Sequence, residues 1–545
     1  MLNLAFIHEA LAEEIPDRAC IVFRDRRLSW ADVTDRTRRL AAVLRHAGLG
    51  CHTPREALRG WESGQDHVAL YLHNGNEYLE GMLGAFKARC APVNVNYRYV
   101  DEELLSLFRN AEPRAIVFHA RFAPVVERLR PELPGVRVWL QVHDDTGNAL
   151  LPGAREYEAA LADADPAPPT GLSPDDLYIL YTGGTTGQPK GVLWRQEDIF
   201  RGALWTGRPI AGVADLRERA RRGPGLRALP AAPFMHGAAH WVAFNTWHTG
   251  GTVVVQSHPE HFDPDDIWST VERERVGLLT IVGDAFARPL LDQLRARPYD
   301  LTNLRAINSG GAILTAALKE QLLAQLPHVR IVDALGSSES GAQASHASTG
   351  STKASTGAFT LAPDSVVLRQ DLSGPAEPGS GEIGWLARRG HVPLGYYKDE
   401  AKTARTFPVI AGVRYSVPGD RCLLEADGSL RLLGRDAVTI NSGGEKIFAE
   451  EVEHALKHHP AIYDAVVVGT PSERWGAQVT AVVQLRAGAT ADEAGFAAEV
   501  RRHLATFKLP RSYVYVDRIV RSPSGKADYA WARGVALAVL GDAAR

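Results

Sequence analysis

The sequence is poor in cysteine and lysine, and it contains no long apolar run. Its four cysteines are scattered and form neither a CxxC pair nor a disulfide framework, so we expect a reduced, cytoplasmic protein. No run of about 18 apolar residues occurs, which predicts no transmembrane helix. The first residues lack the basic segment and cleavage site of a signal peptide. A net charge of -3 favours neither nucleic acid nor anionic membrane as a partner.

Lysine is scarce because 51 of the 61 basic residues are arginine. Arginine and lysine are not equivalent where a compact, mobile point charge is needed. Lys190, Lys446 and Lys526 all lie beside or near glycines, where such a need is plausible. These three lysines are therefore candidate functional residues.

A chain of 545 residues is too long for one hydrophobic core, so we expect about two to four domains. Strand and helix patterns alternate from residue 68 onward, which predicts mainly parallel sheets covered by helices. From residue 380 the pattern becomes β-rich. The fold class is therefore α/β, with a large N-terminal domain over residues 1–434 that includes a β-rich subdomain. A small, mobile C-terminal α+β domain is predicted over residues 435–545.

Finer elements also follow from the patterns. Apolar spacing predicts helices from Trp30 to Leu44 and from Glu77 to Arg89. Residues 211–227 are rich in arginine and glycine and are predicted to be a loop. Residues 341–358 are rich in Ser, Thr, Gly and Ala and are predicted to be mobile or disordered.

The most informative segment is 181–192, which reads YTGGTTGQPKGV after the apolar run LYIL. Glycines let the backbone approach a ligand closely, and threonine hydroxyls with free backbone N–H groups form an anion cradle. The segment therefore predicts a polyphosphate site. It is not a Walker A loop, because no Gly-Lys-Ser/Thr follows a four-residue spacer.

Several further motifs follow this segment in a fixed order. They are PFMHG at 233–237, SGGA at 309–312, GSSES at 336–340, GYY at 395–397, PGDR at 418–421, GR at 434–435, NSGGEK at 441–446 and PSGK at 523–526. As a set they resemble the adenylate-forming superfamily, which comprises acyl-CoA synthetases, peptide-synthetase adenylation domains and firefly-luciferase-like enzymes. The resemblance covers about residues 5–535.

The resemblance implies ATP, Mg²⁺ and coenzyme A as cofactors and a small carboxylic acid as substrate. It implies that Glu339, helped by Ser338, holds Mg²⁺, that Lys526 reaches the carboxylate and the α-phosphate, and that His236 gates the acyl pocket. The implied nucleotide and coenzyme A contacts are Thr182, Gly183, Gly184, Thr185, Thr186, Gly187, Lys190, Gly310, Gly311, Ala312, Leu335, Gly336, Ser338, Asp420, Arg435, Gly443 and Gly444.

Elementary electrostatics agrees with these roles. Attack of a carboxylate on an α-phosphate brings two anions together, and a lysine with Mg²⁺ can offset the repulsion. A mobile small domain can supply different groups to two half-reactions while excluding water from a hydrolysable adenylate.

Each residue has a simpler interpretation when taken alone. Asp420 is typical of a turn, Glu339 of the first turn of a helix, and Lys526 of a solvated surface. His236 and His240 have the i, i+4 spacing of zinc ligands, but no acidic or third ligand is evident. Only the joint order of the motifs favours the catalytic interpretation.

The chain also departs from the family pattern. Leu335 replaces the usual aromatic residue before Gly-x-Thr-Glu, which puts adenine stacking in doubt, and Ser338 replaces the threonine. The acidic hinge position is Ala437, with Asp436 beside it. The position of the hinge pivot in this chain is therefore left undecided by the sequence.

The acyl substrate is predicted from weaker signals. WRQEDI at 194–199, GDAFARPL at 283–290 and RSPSGK at 521–526 resemble actinobacterial fatty-acyl-CoA ligases, with the branch for steroid side-chain acids closest. No acyl-pocket arginine or lysine stands out, so we expect a bulky or medium-to-long apolar carboxylic acid, a fatty acid or a steroid side-chain acid, without a second carboxylate. Trp241, Phe244 and Trp247 are candidates either for the pocket wall or for the core.

Other functions stay open. An adenylation enzyme that loads a carrier protein would need a carrier module or partner, and no such module is found up to Arg545, which favours free coenzyme A. A catalytically silent nucleotide-binding regulator is disfavoured by Lys190 and Lys526. An oligomer, with a dimer as one form, is also open.

Overall fold

The computed structural model describes residues 2–183, 189–352, 354–442, 445–472, 475–522 and 525–543. The α-helices are α1 Leu4–Glu14, α2 Trp30–His46, α3 Asn76–Lys87, α4 Asp101–Ala111, α5 Ala123–Leu129, α6 Tyr157–Ala162, α7 Gln196–Ile199, α8 Val213–Arg222, α9 Gly237–His248, α10 Pro264–Arg273, α11 Gly283–Ala296, α12 Ala316–Gln325, α13 Glu400–Thr406, α14 Ala449–Leu456, α15 Glu493–His503 and α16 Tyr529–Ala543.

The strands of the first 435 residues are β1 Ala19–Phe23, β2 Arg26–Ser29, β3 His67–Tyr71, β4 Ala91–Asn94, β5 Pro113–His119, β6 Val138–Val142, β7 Arg155–Glu156, β8 Leu177–Gly183, β9 Pro189–Arg195, β10 Arg227–Pro230, β11 Thr252–Val255, β12 Leu278–Ile281, β13 Ala306–Gly310, β14 Arg330–Ser337, β15 Gly341–Ser348, β16 Ala358–Leu361, β17 Ser365–Leu368, β18 Gly384–Arg389, β19 Gly395–Tyr396, β20 Val409–Ile410, β21 Val413–Ser416, β22 Asp420–Leu424 and β23 Leu430–Arg435. The remaining strands are β24 Thr439–Ser442, β25 Glu445–Phe448, β26 Ile462–Ser472, β27 Gly476–Leu485 and β28 Ser512–Tyr515.

Two parallel sheets form most of the large domain. In the first, β1, β11, β10, β12, β13 and β14 lie side by side and all pair in parallel. The second has the order β4-β3-β5-β6-β7 and is parallel throughout. The predicted alternation of strands and helices is therefore confirmed. Strands covered on both faces read as apolar runs, as Val253–Val255 does.

Local sequence signals fix several helix ends. Ser29 caps α2 by accepting a hydrogen bond from the Asp32 N–H, and the Asp32 carboxylate accepts from the Ser29 N–H in return. This capping box satisfies two N–H groups that the first helical turn leaves unpaired. The predicted helices near Trp30 and Glu77 are confirmed as α2 and α3.

Two predicted loops are wrong. Residues 213–222 form α8, because Leu216 and Ala220 bury one face against α1 while Arg217 bonds Glu14 at 2.8 Å. Residues 341–348 form β15, which pairs antiparallel with β14. The small residues there serve close packing, since a Cβ on Gly341 would collide with the Gly202 carbonyl. Composition alone does not distinguish this from disorder.

The β-rich region is confirmed as an antiparallel extension of the first sheet. From β14 the order continues β15-β16-β23-β22-β18-β21-β20, with β17 paired to β18. A separate three-stranded sheet, β19-β9-β8, carries both ends of the threonine-rich segment.

The small domain has its own sheet, ordered β25-β24-β27-β26 with β28 beside β27. Helices α14, α15 and α16 cover it, and Val467, Val483 and Phe496 are fully buried in its core. The fold class is confirmed, and α16 is an addition to the predicted elements. The sheet changes between β23 and β24, but the boundary at 434/435 stays a prediction. No helix among the described residues is both long and apolar enough to cross a membrane.

A buried ion pair ties the first three helices together. The Lys87 side chain is 0% exposed, and its Nζ lies 2.6 Å from Glu9 Oε1. The Nζ also donates to Thr37 Oγ1 at 2.8 Å. Burial lowers the pKa of Lys87 to about 8 although the Glu9 charge opposes the shift. Glu9 also accepts hydrogen bonds from Arg38 Nε at 3.1 and 3.2 Å, so the buried carboxylate has two cationic partners.

Replacing Lys87 by alanine should lower the free energy of unfolding of the large domain by about 2–5 kcal/mol, because truncating a fully buried side chain leaves a cavity between the helices and removes one of the two cations paired with Glu9. Urea unfolding followed by tryptophan fluorescence measures the loss. Lys398→Ala is the control, since its pair with Glu112 (2.9 Å) is exposed and such pairs are worth at most about 1 kcal/mol. Equal losses in the two variants would contradict the importance of burial here.

Candidate active site

A cavity of 2420 Å³ lies between the large and the small domain. Its floor is the carboxyl edge of the parallel sheet, where β12, β13 and β14 end. Ligands in open α/β sheets bind at this edge. The small domain closes the cavity from above with Glu450, Arg521 and Lys526.

The threonine-rich segment is only partly described. Gly184, Thr185, Thr186 and Gly187 lie outside the described residues. Thr182 and Gly183 end β8, and Thr182 lines the cavity. Lys190 lies in β9, with its Nζ 2.5 Å from Asp399 Oδ2. In this arrangement Lys190 is bound by a carboxylate at the start of α13.

The predicted glycine-rich wall of the site is formed by consecutive residues. Gly310 ends β13, and Gly310, Gly311 and Ala312 all line the cavity. Gly311 has φ +87°, which favours glycine, and a Cβ built on it would lie 3.7 Å from Lys526 Cε. The positive φ therefore accounts for glycine at 311, and the Lys526 side chain lies within van der Waals reach of this position.

The neighbouring strand β14 and the turn after it continue this wall. Leu335, Gly336 and Ser338 line the cavity, and Leu335 pairs with Ala344 on β15. The Leu335 side chain packs partly into the core of the β-rich region. As an aliphatic residue it offers no aromatic ring for stacking on adenine. The simpler interpretation of Glu339 as part of the first turn of a helix is wrong, because the residue lies in the turn between β14 and β15.

Glu339 is held from two sides. The Tyr396 hydroxyl donates to its Oε1 at 2.9 Å, and Ser416 Oγ donates to its backbone carbonyl at 2.6 Å. In the described part of the chain no group donates to Oε2. The free oxygen fits the Mg²⁺ that the resemblance implies, because Mg²⁺ binds one or two protein carboxylates together with substrate phosphates. The described residues contain no cluster of three or more metal-binding side chains.

Asp420 and Arg435 lie opposite each other on β22 and β23. Arg435 Nε donates to Asp420 Oδ1 at 3.2 Å, and Asp420 is buried. The Asp420 charge raises the pKa of Arg435. The pair thus places a fixed carboxylate and a fixed cation at the rim of the cavity.

Lys526 enters the cavity on a tight loop. The Lys526 N–H donates to Ser522 Oγ at 3.1 Å, and Arg521 donates to both carboxylate oxygens of Asp464 at 2.7 and 2.8 Å. Lys526 is exposed, and its side chain lines the cavity. Desolvation by the protein around the cavity, followed by the charge of Arg435, lowers the pKa of Lys526 to about 8.

His236 precedes α9 and lines the cavity. Its Nε2 is buried without a partner among the described residues, and burial lowers its pKa to about 3. The zinc alternative fails, because His240 Nδ1 bonds the Phe234 carbonyl at 2.6 Å and its Nε2 bonds the Tyr178 hydroxyl. Both ring nitrogens of His240 are occupied.

The three aromatic residues of α9 divide between pocket and core. Trp241 lines the cavity and donates to the Tyr178 hydroxyl at 2.8 Å. Phe244 and Trp247 are 1% and 2% exposed and belong to the main core. Gly443 and Gly444, predicted to flank the coenzyme A tunnel, lie outside the described residues.

Three residues of the site had no predicted role. Tyr396 orients Glu339, Glu450 accepts from the Arg435 N–H at 3.1 Å, and the exposed Arg98 lines the cavity. The charge of Arg98 also contributes to the low pKa of His236. Arg98 follows the end of β4, and that position at a parallel-sheet edge is the signal that could have identified it.

Comparisons with known proteins agree with this geometry. The model of the family described as AMP-binding enzyme matches residues 8–397, and the model of its C-terminal domain matches residues 451–526. The chain is similar to the medium-chain acyl-CoA ligase Mig of Mycobacterium avium, with 51% identity over 97% of this chain and 98% of that protein. It is 41% identical to a 3-oxocholest-4-en-26-oate--CoA ligase of Rhodococcus rhodochrous, over 98% of this chain and 95% of that one.

Solved structures share the fold. The anthranilate CoA ligase AuaEII in complex with anthranoyl-AMP superposes with a TM-score of 0.81 at 20% identity, covering 99% of this chain and 98% of that one. ATP-bound MatB from Rhodopseudomonas palustris gives a TM-score of 0.79 at 24% identity, covering 97% and 98%.

The low pKa of Lys526 predicts unusual amine reactivity. Modification of Lys526 by an amine reagent should rise with a midpoint near pH 8 instead of the ordinary 10.5. Arg435→Gln should move this midpoint upward, because the Arg435 charge disfavours the ammonium form. Mass spectrometry of the peptide that contains Lys526 gives the modified fraction at each pH. An unchanged midpoint in the variant would contradict the proximity of the two cations.

Proposed function

Since the chain belongs to the family of AMP-binding enzymes and is an ATP-dependent acyl-CoA ligase, we propose that it activates an apolar, medium-chain carboxylic acid. Ligases of this family use ATP, Mg²⁺ and coenzyme A. In the first half-reaction a carboxylate oxygen attacks the α-phosphorus of ATP and pyrophosphate leaves. In the second, the thiol sulfur of coenzyme A attacks the acyl carbonyl, AMP leaves, and the thioester forms.

One observation carries the substrate proposal. Trp241, Val242 and Asn245 line the cavity from a single face of α9, and Trp205 and Ile210 lie at the same cavity. From His236 to Asn245 the helix spans about 13 Å, which suits an extended apolar tail. None of these side chains is charged, so a second carboxylate on the substrate would have no partner along this face.

The polar residues have distinct proposed roles. Lys526 neutralises the carboxylate and the α-phosphate as they approach, because its side chain lines the cavity beside Gly311. Asp420 accepts hydrogen bonds from the ribose hydroxyls, and Thr182 to Lys190 surround the pyrophosphate end of ATP. His236 stays neutral and controls access to the acyl pocket. When bound at Glu339, Mg²⁺ would offset phosphate charge.

The small domain is proposed to change position between the half-reactions. The domains divide at 434/435, and residues 435–438 act as the hinge. Rotation would withdraw Lys526 and bring Gly443 and Gly444 to the pantetheine arm. The free, buried cysteines Cys20, Cys90 and Cys422 and the use of ATP and coenzyme A support a cytoplasmic site of action.

A panel of acids tests the proposal. With ATP and Mg²⁺, pyrophosphate should be released only when an acid is present, and fastest with medium-chain fatty acids. Adding coenzyme A should yield the thioester. Long-chain and steroid side-chain acids form the other arms of the panel. Faster turnover of a dicarboxylic acid than of its monocarboxylic counterpart would refute the apolar-acid proposal.

Lys526→Ala should reduce adenylate formation by about 10²–10³-fold, since one charge-stabilising group at a reacting centre is worth that much. Transfer of the acyl group from preformed acyl-adenylate to coenzyme A should keep its wild-type rate. Lys526→Arg is the matched variant, and it should recover only part of the loss because a planar guanidinium replaces a point charge. Equal losses in both half-reactions would show that Lys526 has another role.

A further inference from the structure

A short segment of the large domain, residues 283–289, contacts the small domain beside the Lys526 loop. This segment is the first two turns of α11 and carries part of the motif GDAFARPL. We call it the docking turn.

The docking turn is rigidly placed on the large domain. Gly283 has φ +52°, and a Cβ there would collide with the Ile313 carbonyl. The Asp284 N–H donates to that same carbonyl at 2.9 Å, and Asp284 Oδ1 accepts from the Thr315 N–H at 2.8 Å. The backbone of the docking turn is therefore fixed from both sides.

Its outer face meets the small domain through an aromatic ring. The guanidinium carbon of Arg288 lies 5.0 Å from the centroid of the Tyr463 ring on β26. Arg288 is 7% exposed, so this cation–π contact is largely shielded from water. Arg486 of the small domain lies over the same ring at 5.7 Å.

The docking turn also touches the Lys526 loop directly. A Cβ built on Gly525 would lie 3.1 Å from Val282 Cγ1 and 3.5 Å from Phe286 Cε2. Gly525 has φ +74°, so both its conformation and the close approach favour glycine there. The loop therefore rests on an apolar shelf next to the Arg288–Tyr463 contact.

Charged groups also interact across the contact between the docking turn and the small domain. Asp284 Oδ2 is buried and has no hydrogen-bond partner within the described ranges. Although burial opposes the shift, the carboxylates of Asp464, Glu453 and Asp284 raise the pKa of Arg521. Asp284 thus attracts, across the domain boundary, the arginine that anchors the Lys526 loop.

We propose that the docking turn holds the small domain in the arrangement that forms the acyl-adenylate, with Arg288 as a positioning residue that acts through Tyr463. The inference rests on the proposed function. Tyr463 and Gly525 belong to the small domain, so its rotation for thioester formation must break these contacts. The contact therefore serves one half-reaction only.

Arg288→Leu separates the two half-reactions in a direct test. Acid-dependent pyrophosphate release should fall about tenfold in kcat, because a buried cation–π contact can shift the closed population by that factor. The KM for ATP should stay unchanged, since Arg288 does not line the cavity. Thioester formation from preformed acyl-adenylate should keep its wild-type rate.

Changes at Tyr463 provide a second route, should Arg288→Leu fold poorly. Tyr463→Phe keeps the ring and should retain adenylation, whereas Tyr463→Leu should lose about tenfold. The double variant Arg288→Leu/Tyr463→Leu should lose no more than either single variant. Arg130→Leu removes a comparable contact, with Trp139 at 5.1 Å inside the large domain, and should change neither half-reaction.

Equal losses in both half-reactions, or independent effects of Arg288 and Tyr463, would overturn the inference. A wild-type enzyme that releases no pyrophosphate in response to any acid would instead refute the proposed function. The two failures are thus distinguishable.

Discussion

The repulsion between a carboxylate and a polyphosphate is the constraint on which the rest of this structure depends. A chain of net charge -3 cannot relieve it through a global field, so positive charge must be placed locally. The cavity places Lys526 and Arg435 among the carboxylates of Glu339, Asp420 and Glu450. Burial lowers the pKa of Lys526 to about 8 and raises that of Glu450 to about 7. Both shifts favour the uncharged forms of these groups.

The same constraint explains why so much structure supports one ammonium group. The Lys526 side chain forms no ion pair within 4.0 Å in the part of the chain that the structure describes, so its position is set by the contacts of the loop that carries it. The charges of Lys457 and Arg521 lower the pKa of Asp464 to about 2, although burial opposes the shift. Asp464 therefore stays ionised and anchors Arg521, which belongs to the Lys526 loop. Glu450 supplies another contact at the proposed hinge, where its carboxylate lies so close to Gly434 that a side chain there would collide with it. The loop and the hinge are therefore held by the small domain itself.

Much of this arrangement could be predicted from sequence, but only where the signal is local or ordered along the chain. Alternating apolar runs predicted the parallel sheets, and the order of short motifs predicted which residues meet, as Gly311 and Lys526 do. The roles of Tyr396, Glu450 and Arg288 were not predicted, because these roles arise from contacts between segments that are distant in sequence. Small residues at 341–348 had two interpretations, close packing or disorder, and only the neighbouring strand decides between them.

The scarcity of lysine can now be interpreted residue by residue. Lys190 is bound to Asp399, and Lys87 is bound to Glu9 in the core, so each has a carboxylate partner within the protein. Lys526 lies among several charges but forms no ion pair within 4.0 Å in the described ranges, and its side chain faces the cavity. A compact point charge on a flexible stem suits a residue that must reach two anions in turn, which a planar guanidinium does less well. Among the lysines with a proposed role, Lys526 is therefore the one whose function depends most on being lysine.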